Sequence, residues 1–169
     1  MAEVRVAGWK GLKEEYKDSL NVKRLDPSIA AERLRMLSSL LKDYSPEAVK
    51  EPSAGNPGLL KVEKGGTVIF IAVYSDSLVV LAKDITPIVD EVVDYKEEKS
   101  LKALLIVYSR KGRLGPLCYL FLGDVIRDKE VGVLYVNGSV NEVLDVVKSV
   151  LSKGEYIVRE EDYVDLKEV

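Results

Sequence analysis

Three groups of residues have types and spacing that suggest chemistry. The first is the basic segment 109–116, Ser109-Arg110-Lys111-Gly112-Arg113-Leu114-Gly115-Pro116. Arg110, Lys111 and Arg113 stand close together among glycines. A guanidinium offers a fork of donors to an oxyanion, and glycine lets backbone N–H groups approach it. The segment therefore suits a phosphate or the backbone of a nucleic acid. It holds no aromatic side chain on which a base could stack. A net charge of −3 also works against general affinity for nucleic acid, which rests on clustered positive charge. A solvated loop with no ligand would have the same composition.

The second group is acidic. Asp76, Asp84 and Asp124 fall at the expected ends of strands. If Asp84 and Asp124 converge, two carboxylates with Lys83 nearby suit Mg²⁺ and phosphoryl transfer. No acidic-x-Lys tripeptide is well placed after a strand-end Asp, since Glu63 lies beside the Gly65-Gly66 turn. Asp at a strand end also has an ordinary use in turns. The third group is Trp9 and Tyr16, which with Leu12 and Leu20 recur at helical spacing. Such a segment either packs on its own body or reaches a neighbour, and Trp9 and Tyr16 are its candidate interface residues.

Much other chemistry is excluded. The chain has no His, so it can build neither a Ser-His-Asp nor a Cys-His arrangement nor an imidazole metal site. Its one cysteine, Cys118, cannot form an internal disulfide or a thiolate zinc site. Cys118 lies in an apolar run, where a buried, inert thiol is expected. No phosphate-binding, dinucleotide-binding or nucleophile-elbow glycine motif is present. No cofactor is implied. Nine tyrosines dominate the aromatic residues. Tyr74, Tyr108, Tyr119 and Tyr135 fall in or at the ends of expected strands, where half-buried aromatics pack well.

The elements that must position these residues follow from pattern. Asp26-Pro27 suits the cap and first position of a helix, and Ile29, Ala30, Leu34, Leu37, Leu40, Leu41 and Tyr44 form one stripe over 27–44. Ser45-Pro46-Glu47 restarts a short helix. Residues 52–58, with two Pro and two Gly, read as a linker. Two apolar runs around Gly65-Gly66 predict a hairpin, and a turn at 75–77 leads to a third strand, LVVLAK. Thr86-Pro87 starts a helix to about Glu98. Residues 101–108 and 117–122 then read as a second hairpin whose loop is the basic segment. VGVLYVNG reads as a strand. Ser139-x-x-Glu142 is a capping box for a helix to about Lys153, stopped by Gly154. Residues 156–159 suggest a last edge strand.

A weak internal echo accompanies this pattern. Ile71-Ala72-Val73-Tyr74-Ser75 resembles Leu105-Ile106-Val107-Tyr108-Ser109, although the spacings that follow differ. Strands joined by tight turns are antiparallel. The expectation is therefore a two-layer α+β fold, a mainly antiparallel sheet of five to six strands with helices packed on one face. Residues 1–51 form a helical segment packing on a body of residues 59–169, in one structural domain. This element order is similar to that of the profilin-like folds, the sensor and adaptor family that includes roadblock and longin domains. That likeness implies a fold and transfers no functional residue.

Three functions remain open. The first is a non-enzymatic interaction or regulatory module, a homodimer or a small subunit of a complex. The second is nucleic-acid or phosphate binding through residues 109–116. The third is Mg²⁺-dependent phosphoryl transfer at Asp84 and Asp124. The partner is a second copy or another protein, no membrane span is expected, and the setting is cytoplasmic. The chain also lacks His and Gln, has few Asn and two Met, and is rich in Lys, Glu and Val, as heat adaptation tends to leave a sequence. A circular-dichroism melt is accordingly expected to show the folded state persisting to about 80 °C, above the roughly 45–65 °C of mesophilic domains.

Overall fold

The computed structural model describes residues 26–53, 56–75, 79–80, 82–110 and 113–153. The expectations for Trp9 and Tyr16, for Asp76, for Lys111 and for the chain beyond Lys153 lie outside these residues. Within them the elements are α1 (Pro27–Leu40), a 3-10 turn (Lys42–Tyr44), β1 (Glu47–Lys50), β2 (Gly58–Lys64), β3 (Thr67–Val73), β4 (Val79–Val80) and α2 (Ala82–Lys99). There follow β5 (Lys102–Tyr108), β6 (Arg113–Leu114), α3 (Pro116–Lys129), β7 (Val131–Val136) and α4 (Val140–Lys153).

The chain is α+β, and its main sheet has five strands in the order β1-β2-β3-β5-β7. The sheet is mixed, not mainly antiparallel. β1, β2 and β3 form an antiparallel meander, but β3, β5 and β7 are parallel. The β2–β3 hairpin turns at Gly65 and Gly66, with φ of 60° and 83°, the pair of positive values a primed turn demands. Parallel neighbours need crossovers. α2 connects β3 to β5 and α3 connects β5 to β7. Both lie on one face of the sheet, as successive crossovers of one hand in one direction require.

The layers also differ from expectation, because helices cover both faces. On one face Val68, Phe70, Ala72, Leu105, Val107 and Val133 meet Ile85, Ile88, Val89 and Val92 of α2 and Cys118, Leu122 and Val125 of α3. On the other, Leu60, Ile69, Ile71, Leu104, Ile106 and Tyr108 meet Leu34 and Leu37 of α1 and Val143, Val147 and Leu151 of α4. All seven residues of β3 and the last six of β5 are buried. A strand covered on both faces carries a continuous apolar run without alternation.

Local corrections have identifiable causes. Residues 117–122 are helical, not a returning strand. Pro116 takes the first helical position, where its missing N–H costs nothing, and Cys118, Leu122 and Val125 make the buried side. The basic segment is thus the connection into a crossover, not a hairpin loop. Among the described residues of LVVLAK, Val79–Val80 form β4, which pairs in parallel with β6, and the helix begins before Pro87, at Ala82. The Thr86 hydroxyl donates to the Ala82 carbonyl at 2.7 Å. Glu47–Lys50 is strand, not helix, after Ser45 turns left-handed at φ 51°. The element order on which the profilin-like likeness rested, two groups of three strands each followed by a helix, is not the one observed. No helix among the described residues is long and apolar enough to cross a membrane.

Two substitutions test this packing by urea unfolding. Ile106→Ala, at a fully buried site in the central parallel strand, should lower stability by about 2–5 kcal/mol. Gly66→Ala should lower it by about 1–2 kcal/mol, the cost of a left-handed residue with a Cβ.

Candidate functional site at the carboxyl edge of the parallel strands

Because β3, β5 and β7 are parallel, their carboxyl ends lie along one edge. The helices that follow them, α2, α3 and α4, all begin there. α1 begins there as well, since the Asp26 backbone N–H donates to Ser75 Oγ at 3.2 Å. Asp26 caps α1 through the Ser28 N–H and hydroxyl, at 3.0 and 2.7 Å. The same Ser28 hydroxyl, with its backbone N–H, holds the Asp26 carboxyl below the usual carboxylate range. Residues 51–53 and 56–57, between β1 and β2, reach the same edge, as Gly58 opposite Val73 requires. Of the four helix starts gathered here, three carry a carboxylate, Asp26 at the cap of α1, Asp84 in the first turn of α2 and Glu142 in that of α4, and α3 alone has no acidic residue in its first turn, so its partial positive charge is the one left to an outside anion.

The edge is stitched from side to side by the two Val-Tyr-Ser endings. The Ser109 hydroxyl donates to the Ser75 carbonyl at 2.9 Å. The Ser109 N–H donates to the Val136 carbonyl at 3.1 Å, and the Tyr74 N–H donates to the Tyr108 carbonyl at 2.9 Å. Both serines are buried, and the Ser109 hydroxyl and the Ser75 Oγ are spent on these contacts. The echo in the sequence therefore marks two strand ends of one kind, each followed by a short strand and a helix. The likeness breaks in register. Val73 pairs with Tyr108, so the copies are one residue out of step, and a one-residue slip reverses the face. Tyr74 packs among residues of α2 and α3, Tyr108 among residues of α1 and α4.

The two phenols have different fates. The Tyr108 hydroxyl donates to the Gly138 carbonyl at 3.0 Å, tying β5 to the loop that opens α4. The Tyr74 hydroxyl is fully enclosed and has no hydrogen-bond partner among the described residues. Burial, then the neighbouring Cys118 and Asp84, push its pKa well above the ordinary tyrosine value.

Around this edge the predicted site residues are placed as follows. Arg110 is exposed, one residue beyond buried Ser109, at the end of the central parallel strand. Arg113 opens β6, whose neighbour Gly115 donates its N–H to the Val80 carbonyl at 2.8 Å. Gly115 caps α3 and makes no side-chain hydrogen bond to it, so the N-cap residue satisfies none of the N–H groups of that first turn through a side chain. Asp84 lies in the first turn of α2. It borders a cleft of about 410 Å³ together with Lys50, Glu51, Ser53, Asn56 and Ile88. Lys50 forms an ion pair with Glu91 at 3.0 Å.

Asp84 and Asp124 stand in two different helices and not at strand ends. Asp124 is exposed on α3, eight residues past its start, and pairs with Arg127 of the same helix. At about 1.5 Å per residue it lies about 12 Å along α3, while Asp84 lies about 3 Å along α2. Among the described residues no group of three or more His, Cys, Asp or Glu side chains could hold a metal ion. The cleft residues of the β1–β2 connection left no distinct trace in the sequence beyond a Pro- and Gly-rich stretch. Comparison of the chain with protein-family models, with curated proteins and with solved structures finds no match.

The contrast between the phenols is measurable by urea unfolding of two conservative variants. Tyr108→Phe removes a satisfied bond and should cost about 1 kcal/mol. Tyr74→Phe removes a buried hydroxyl without a partner, and stability should be unchanged or rise by up to about 1 kcal/mol.

Proposed function

We propose that the chain is a non-enzymatic binding module that takes a phosphate-bearing anion at the carboxyl edge of its parallel strands. One observation carries this reading: exposed Arg110 stands at the end of the central parallel strand, ahead of a helix start that has no side-chain cap. Open parallel sheets bind ligands outside the carboxyl ends of their strands, and the start of α3, with no acidic residue in its first turn, favours negative charge. Arg110 supplies the donor fork. The buried Ser75–Ser109 contact gives that side chain a fixed base. Exposed Asn137 and Ser139, in the loop that opens α4, supply polar groups on the far side. The acidic total charge confines attraction to this edge, so association should be local and salt-sensitive.

Thermal-shift titrations with pyrophosphate and with a short single-stranded oligonucleotide test the reading. At ligand about 100 times its Kd, stability should rise by about 2.7 kcal/mol, with weakening at high salt. Arg110→Glu should weaken binding tenfold or more. No shift with either ligand, or binding unchanged in Arg110→Glu, would contradict it. A response to the oligonucleotide alone assigns the phosphates to nucleic acid; a response to both assigns a small phosphate ligand.

A further inference from the structure

The carboxyl edge offers more than Arg110. The cleft of about 410 Å³ beside the start of α2 is of the size that holds a small molecule. Gly58, Val73 and Tyr108 stand level across β2, β3 and β5. The cleft wall at Pro57 and the strand that leads to Arg110 are therefore two strand spacings apart, about 10 Å. Asp84 of the cleft and Cys118 of the first turn of α3 both act on the Tyr74 phenol, so the cleft and that helix start are neighbours of one side chain.

The lining decides what the cleft takes. Glu51 and Asp84 border it, and Lys50 beside them is paired with Glu91 at 3.0 Å. Carboxylates repel a phosphate and accept hydrogen bonds from hydroxyl groups. Ser53 and Asn56 form another wall. Each donates its backbone N–H to the other's carbonyl, at 3.1 and 3.0 Å, and Asn56 Nδ2 donates to Ser53 Oγ at 3.4 Å. These polar groups are thus held in place before any ligand arrives. Pro57 and Ile88 add apolar surface, which suits the C–H face of a sugar ring. No aromatic side chain among the described residues lines the cleft, so base stacking gains nothing there. Charge also orients a ligand. Asp84 occupies the first turn of α2, while that of α3 holds no acidic residue, which directs a phosphate to α3 and Arg110 and hydroxyl groups to the cleft.

We propose that the ligand of this edge is a sugar phosphate, with its phosphate at Arg110 and the start of α3 and its hydroxyls in the cleft against Glu51, Asp84 and Asn56. The proposal rests on the phosphate reading above and adds the cleft to it. Calorimetric titrations of the full chain at low salt, with pyrophosphate, inorganic phosphate and ribose phosphate, test it. Ribose phosphate should bind about tenfold more tightly than inorganic phosphate, from the added hydrogen bonds. Glu51→Gln/Asp84→Asn should bring ribose phosphate to the affinity of inorganic phosphate and leave pyrophosphate binding no weaker. If that variant does not fold, Asn56→Ala, which lies outside the helices, should weaken ribose phosphate alone. Adenosine monophosphate distinguishes the sources: binding no tighter than ribose phosphate assigns a free sugar phosphate, and tighter binding assigns a nucleotide. Pyrophosphate binding with ribose phosphate no tighter than inorganic phosphate, or a preference for ribose phosphate that survives the variants, would overturn this proposal and leave the phosphate reading standing. Failure of every ligand to bind would overturn both.

Discussion

The parallel pairing of β3 with β5 is the contact on which the rest of the structure depends. Seven residue pairs, from Thr67–Lys102 to Val73–Tyr108, join two strands whose side chains are apolar on both faces. At roughly 25 cal/mol per Å² of apolar surface, leaving either face in water would exceed the whole stability of such a domain. Both faces must therefore be covered. Parallel pairing supplies the cover, because each return to the start of the sheet has to cross a face. It also collects helix starts at one edge and helix ends at the other. The Lys96 ammonium, which donates to the Lys129 carbonyl at 3.1 Å, marks the opposite edge, where basic residues of the last turns of α2 and α3 complement the helix ends.

How much of this could be read from the residues depended on the kind of signal. The Asp26-Pro27 start of α1, the Gly65-Gly66 turn and the inward face of α4 were legible because each is local. Strand orientation was not. Consecutive apolar runs with Gly or Ser between them fit a hairpin and a crossover equally well until the intervening residues are assigned. The deciding stretch is GPLCYLFLGD. Its apolar run fits a strand, while Pro116 at a helix start and Cys118, Leu122 and Val125 at helical spacing fit a helix. Tertiary context favours the helix, since the exposed face of β7 and β5 needs cover. The unbroken apolar character of TVIFIAV and KALLIVY was itself a signal for a doubly covered sheet.

The basic segment was legible as a group of residues and illegible as a place. Its charges have the same composition whether they tip a hairpin or lead into a crossover helix. Only the parallel topology puts Arg110 at the edge where four helices begin. The Val-Tyr-Ser echo shows the converse. Its two serines serve the edge together, yet a one-residue offset in register sends Tyr74 and Tyr108 to opposite faces, one without a partner and one bonded to the loop before α4. Similar tripeptides thus do unlike work. The carboxylates Asp84 and Asp124 show the same limit, since both were assigned to strand ends and both stand in helices, Asp84 in the first turn of α2 and Asp124 in the third turn of α3.

The most direct test of the account is amide chemical-shift mapping by nuclear magnetic resonance during a pyrophosphate titration. The account predicts that perturbations concentrate at residues 109–116 and 137–140 and in the first turns of α2 and α3. Perturbations centred on the β2–β3 turn and the ends of α2 and α3, or spread evenly over exposed lysines, would contradict it.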